Sequence, residues 1–257
     1  LDALRRCPGG LNGASKIQVA GMITIACYDN ERDAEPLSIE VSWLHLTQML
    51  TTDTPSRCTE LSCVGKKCPF KSNSSEEDPG AWSPVIIDGK RCNDAVEAVT
   101  ALVLDGDGIT QEQLALVESQ VEGRSFIVHT THRNRADKIF IRLVLELSRP
   151  VLASEWATFY PQAITALGFE GIFDTLKDLS RLYFFPTHPS DVQFLSDSGT
   201  GSVLDVDAIL VNTTTSSTNS SDFEGSVDAP KESYTDFGVV LAHLKSYRQS
   251  RARGDAN

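Results

Sequence analysis

No apolar run in this 257-residue sequence reaches transmembrane length, and no secretory hydrophobic region opens it. The first lack excludes a helical membrane span. The second leads to the expectation of a cytoplasmic protein whose six cysteines (Cys7, Cys27, Cys58, Cys63, Cys68 and Cys92) stay reduced. In that setting the Asn-x-Ser/Thr triplets at Asn73, Asn212 and Asn219 are only polar surface. An initiating Met is also missing: the chain starts at Leu1, as expected of a segment trimmed from something longer. Cations are scarce, 23 Lys and Arg against 35 Asp and Glu, for a net charge of −12. That balance argues against a passive nucleic-acid coat protein, though not against an enzyme with one basic groove. There is no internal repeat.

What is there reads as one large domain or two small ones, with a change of character after Val211. Residues 1–15 are Gly- and Arg-rich. Lys16 to Cys27 is β-branched and apolar, which predicts a strand, and Leu37 to Leu50 predicts a strand entering an amphipathic helix. Thr51 to Gly89 is turn-rich, a long irregular segment of the kind that carries function. An apolar strand then ends in Asp105 and Asp107. Thr110 is placed to cap a helix to about Gln120, with Gln113 in capping-box position. Ser125–His129 and Lys138–Leu147 predict a hairpin joined by the basic loop of Arg133, Arg135 and Lys138. Ser154 is read as the cap of a helix to Leu167, kinked at Pro161, and Arg181–Phe185 as a further strand. Asn212 to Ser221 is nearly all Ser, Thr and Asn, followed by acid, so 212–257 reads as a flexible linker with a terminal helix at Tyr234 to Arg253.

The run Val99-Thr-Ala-Leu-Val-Leu-Asp-Gly-Asp-Gly108 is the centre of the chemistry. Residues two apart in a strand share a face, so two carboxylates emerge side by side where a buried strand meets water. Like charges that close repel unless a cation lies between them, and hard carboxylate oxygens suit a divalent ion. Further along stand Thr130-Thr131-His132, Phe173-Asp174 and Asp178-Leu-Ser-Arg-Leu-Tyr-Phe-Phe-Pro186.

In order and spacing this set resembles the archaeo-eukaryotic primase superfamily, specifically the primase-polymerase modules of plasmids, phages and other mobile elements. Asp105 and Asp107 match its Asp-x-Asp, Thr130-Thr131-His132 its small-x-His, and Phe173-Asp174 its third acid. Arg142–Val151 with Glu155-Trp156 resembles the intervening segment. The resemblance implies an α+β fold: a two-layer catalytic core with an RRM-like sheet and flanking helices, spanning 1–211 with the motifs within about 80–190. It implies templated nucleotidyl transfer with two Mg²⁺ or Mn²⁺ ions held by Asp105, Asp107 and Asp174. Thr131, His132, Arg142 and Arg181 would bind the nucleotide, and Arg133, Arg135 and Lys138 the template backbone. Single-stranded DNA and (d)NTPs are the implied partners, with a helicase module fused or in trans.

Other readings stay open at this point. Asp-Gly-Asp-Gly is also good turn chemistry, and Asp205-Val206-Asp207 repeats the pattern beside a polar tail, where it reads as surface. Asp178 rivals Asp174. His129 rivals His132, although three positions earlier it is expected on the opposite strand face. Cys58, Cys63 and Cys68 admit a Zn²⁺ site with Cys92 or His45 as fourth ligand, although the spacing is not the usual Cys-x₂-Cys. Trp82 reads as packing and Arg253-Gly254-Asp255 as chance. A metal-dependent phosphoesterase or nuclease, or a replication initiator that lost the chemistry, are the rival functions.

Overall fold

Strand β1 (Met22–Tyr28) is flanked by β2 (Leu37–Ser42) and β3 (Ala81–Ser83), and β8 (Tyr183–Phe184) completes a four-stranded antiparallel sheet in the order β2-β1-β3-β8. This is a computed structural model, describing residues 21–72, 80–135, 137–173 and 178–211. The Gly- and Arg-rich opening, the tail from residue 212 with its expected linker and helix, Cys7, Asn73 and Asp174 lie outside the described residues. Ser42 ends β2 and caps helix α1 (Trp43–Thr51), its Oγ accepting the His45 N–H at 3.1 Å. At Pro84 the chain leaves the first sheet for the second, a corner that needs no backbone donor from proline.

The second sheet has the order β4-β5-β7-β6-β9, from β4 (Val85–Ile87), β5 (Val96–Ile109), β6 (Phe126–Thr130), β7 (Ile139–Leu152) and β9 (Ser196–Gly199). Helix α2 (Gln111–Val121) links β5 to β6, α3 (Ala153–Ala166) follows β7, and α4 (Val206–Val211) packs against α3. The succession β5-α2-β6-β7-α3, with β7 paired to both β5 and β6, is that of an RRM-like unit; β4 lies on the outer side of β5. The fold is therefore α+β, as the resemblance implied.

Strand β5 is apolar on both faces because both are covered. Leu102 and Leu104 face α2 and α3 in a core with Val117, Phe159 and Phe169. Ala101 and Val103 face the first sheet and α1, with Ile25, Leu46, Trp82 and Tyr183. Trp82 is fully buried there, so packing is its use. Thr110 and Gln113 form the expected capping box.

Several expectations shift. The aspartate strand holds against the rival turn reading but runs on past the aspartates: the ladder to β7 includes Asp105↔Arg142 and Asp107↔Phe140 before a register shift at Ile109. Gly108, at φ +76°, absorbs that bulge. Helix α3 begins at Ala153 rather than behind Ser154, because Glu155, held by Arg149, accepts the Leu152 N–H at 2.9 Å. The strand expected over Arg181–Phe185 shortens to Tyr183–Phe184. Cys92 is disulfide-bonded, contrary to the expectation of reduced thiols throughout, whereas Cys27, Cys58, Cys63 and Cys68 are free. No helix among the described residues is long and apolar enough to cross a membrane.

Leu104 is fully buried one residue before the first aspartate. Leu104→Ala is expected to lower the unfolding free energy by about 2–5 kcal/mol, read from urea denaturation.

Candidate active site at the end of the aspartate strand

The face of β5 that meets the first sheet turns polar as it runs out from beneath it. Ala101 and Val103 give way to Asp105 and Asp107 on β5, Ile127 gives way to His129 on β6, and Val144 gives way to Arg142 on β7. Pairing places Asp105, Arg142 and His129 in one row across three strands. The row forms part of the wall of a pocket of about 280 Å³, completed by Lys66 and Lys71 from the irregular loop, Thr131, His132 and Arg133 past β6, and Arg181, Phe184 and Thr187 from the other sheet.

Asp105 is nearly buried and its carboxylate accepts from two arginines: Arg142 Nε at 2.8 Å and Nη2 at 3.4 Å, and Arg181 Nη2 at 2.9 Å. Arg142 also donates to the Phe184 carbonyl at 2.9 Å and lies 4.6 Å over the Tyr183 ring. Arg142 is accordingly buried rather than presented to solvent. Burial works to raise the Asp105 carboxyl, but Arg142 and Arg181 overcome it and hold the group below its ordinary range. Asp107 is more open; its Oδ2 takes Arg133 at 2.6 Å, with Lys66 Nζ at 3.9 Å. Arg133 in turn stacks over Phe140 at 4.3 Å. Five cations (Lys66, Lys71, Arg133, Arg142 and Arg181) against two carboxylates make this cleft positive on a chain of net charge −12.

Both histidines weighed in the sequence line the pocket. The strand-face argument against His129 fails because β6 ends at Thr130: the chain turns there, with Asn134 N–H bonded to the Thr131 carbonyl at 2.8 Å, and re-aims His132. His129 donates from Nδ1 to the Thr130 carbonyl at 3.0 Å, so its Nε2 carries a lone pair, buried without a hydrogen-bond partner. Burial, then the Arg142 charge, pushes its pKa down to about 3. His132 is neutral too, pushed down to about 4 by burial with Arg135 and His188 nearby. Its Nδ1 meets Thr187 Oγ1 at 2.9 Å and its Nε2 faces Cys58 Sγ at 3.4 Å.

Of the remaining expected residues, Arg135 turns from the pocket to donate to the His132 and Asn134 carbonyls, and Lys138 is exposed beside Phe140. Asp178 spends its carboxylate on the Ser180 N–H and hydroxyl at 3.1 and 3.0 Å and does not line the pocket. Phe173, preceding Asp174, packs at 5.1 Å edge-on to Phe169 and beside Gly106. Asp207 pairs on the surface with Arg149, and Asp205 begins α4. The cysteines converge on His132 rather than on Cys92 or the exposed His45. Lys66, Lys71 and Thr187 were missed, since nothing local says that the loop folds back on β5.

Because unfolded His129 takes up a proton near pH 6.5 and the folded group only near pH 3, its contribution to stability is complete above 6.5 and is lost as pH falls. Denaturant titrations between pH 6.5 and 4 are expected to show stability falling with acidification. His129→Gln should reduce that slope by up to about 1.4 kcal/mol per pH unit.

A solved structure of similar course is the AEP domain of the cyanophage S-2L primase-polymerase, 16% identical, covering 75% of this chain and 88% of that one, with a TM-score of 0.37. Among curated proteins none matches significantly. The profile described as VapE N-terminal domain matches residues 11–223, most of the sequence. The chain therefore belongs to the VapE N-terminal domain family.

Proposed function

We propose that this domain is a DNA-templated nucleotidyltransferase that lengthens a strand from nucleoside or deoxynucleoside triphosphates, as primase, polymerase or both. The observation that supports it best is the pair of carboxylates on one strand face, opening into a cleft ringed by cations. Such a cleft attracts a triphosphate, while the acidic remainder of the chain repels phosphate elsewhere.

The donor set suits a hard divalent cation. Asp105 and Asp107 present carboxylate oxygens to the same pocket, and the three guanidinium contacts on Asp105 leave lone-pair capacity for a further ligand. Asp105 and Asp107 would hold Mg²⁺ or Mn²⁺, with Asp174 as the third acid, supplying Lewis-acid stabilisation of the transferring phosphoryl group. Arg142 and Arg181, fixed on strand and aromatic faces with their forks on Asp105, bring positive charge to the phosphate oxygens. Arg133, Lys66 and Lys71 neutralise the charge on the β- and γ-phosphates, and Thr131 offers a hydroxyl at the wall. In this reading the bond from the primer 3′-oxygen to the α-phosphorus forms as the bridge to the β-phosphate breaks, and pyrophosphate leaves. His132 has both ring nitrogens engaged, so the phosphate contacts fall to the cations. Lys138, with Arg133 at the rim, meets the template backbone. A helicase module, fused or in trans, would supply single-stranded template.

The test is incubation with a single-stranded template, labelled triphosphates and Mn²⁺, with and without primer. Strand growth with pyrophosphate release is expected, falling to background in D105N/D107N at unchanged circular dichroism. Undiminished growth in that variant would overturn the reading; strand shortening would indicate a nuclease, and tight DNA binding without turnover an initiator module.

A further inference from the structure

Outside the carboxylate pair, the described residues hold one group of convergent soft ligands. One ligand atom from each of Cys58, Cys63, Cys68 and His132 lies within 4.8 Å of all the others, three of the residues being buried. A tetrahedral Zn²⁺ with ordinary bond lengths sets sulfur–sulfur edges of about 3.8 Å and sulfur–nitrogen edges of about 3.6 Å. The Cys58–Cys68 separation is 3.7 Å and the Cys58–His132 Nε2 separation 3.4 Å.

The surroundings are those of a liganded set. Thr187 spends its hydroxyl hydrogen on the Lys71 carbonyl at 2.9 Å, so at Thr187 the His132 Nδ1 must be the donor. The bare lone pair of His132 is therefore Nε2, the nitrogen aimed at the sulfurs, and its orientation is fixed from behind. Backbone amides two residues on, at Gly65 and Phe70, point at the sulfurs of Cys63 and Cys68, and the Arg135 guanidinium lies against Cys63. Three thiolates around Zn²⁺ leave one negative charge, which that guanidinium offsets. A Cys58 S–H bond to His132 would account for one sulfur but not for the convergence of the other two.

We propose that Cys58, Cys63, Cys68 and His132 form a structural Zn²⁺ site that fastens the 58–68 loop to the turn after β6. The loop carries Gly65 and Lys66, which line the carboxylate pocket, so the ion builds one wall of the active site without entering its chemistry. The four protein ligands close the coordination sphere, which is the pattern of a structural rather than a catalytic zinc. The site stands on the soft-ligand cluster alone and is independent of the proposed nucleotidyl transfer.

The whole chain, purified without chelator, is expected to carry one zinc per molecule by elemental analysis. Grown with cobalt, it should show the visible absorption of tetrahedral, thiolate-bound Co²⁺. C58S/C68S should lose both signals, and D105N/D107N should keep both even if that variant is inactive. If C58S/C68S does not fold, titrating wild-type thiols with a mercurial should release zinc in step with three cysteines. Folded protein containing no zinc after growth in zinc-supplemented medium, a Cys58–Cys68 disulfide in its place, or full zinc in folded C58S/C68S would each overturn the assignment.

Discussion

Arg142 reaches Asp105 from the neighbouring strand and the Phe184 carbonyl from the opposite sheet, while Arg181 closes on the same carboxylate from the first sheet's side. This clamp joins the two sheets at the point where their shared apolar layer ends. A carboxylate this deeply buried loses several kcal/mol of hydration, and one cation rarely returns all of it. Two guanidiniums, one in bidentate reach, keep it ionised. The pair is thus weak evidence for stability but strong evidence for geometry: the clamp fixes the direction of the Asp105 oxygens and the spacing of both arginines. The Asp105 carboxylate and the two arginines are held by one another.

The clamp also reconciles an acidic chain with the phosphate-binding role proposed for it. Charges far apart on the surface are screened within about 8–10 Å in physiological salt, so the total of −12 says little about a recessed cleft. Inside it the arginines are backed by aromatic rings, with Arg133 over Phe140 and Arg142 over Tyr183. Cations stacked this way lose little conformational entropy when an anion arrives, because their side chains are already placed.

Much of this was legible in the sequence wherever the signal was local. The period of two placed Asp105 and Asp107 on one face, and Thr110 with Gln113 fixed the start of α2. The beginning of α3 was not legible, because its cap is the Glu155 carboxylate held by Arg149 and so depends on a side-chain pair rather than on Ser154. His129 was misjudged for a related reason. Its face was compared with that of His132, across a turn that destroys the alternation. The meaningful comparison is with Asp105, two strands away, and needs the β5-β7-β6 register. The fourth partner of the cysteines was hidden more deeply: His132 is 74 residues from Cys58, and only the docking of the irregular loop against residues 187–190 brings them together. Asp174 was named from its motif alone.

The end of β6 shows how one short run can serve two sites. His129 is still within the ladder, so its ring lies in the row of Asp105 and Arg142 and takes its electrostatics from them. Three residues later the chain has turned, and His132 takes its partners from the cysteine loop and from Thr187. Neither imidazole carries charge at neutral pH, since burial depresses both. A pair of cationic imidazoles here would add to five cations already crowded around two carboxylates and drive the walls apart. Neutral rings instead fill the space between them, and the lone pair left on His132 Nε2 is presented to sulfur. The turn after Thr130 is therefore the hinge of the arrangement: it allows β6 to contribute one ring to the pocket floor and another to the wall that closes over it.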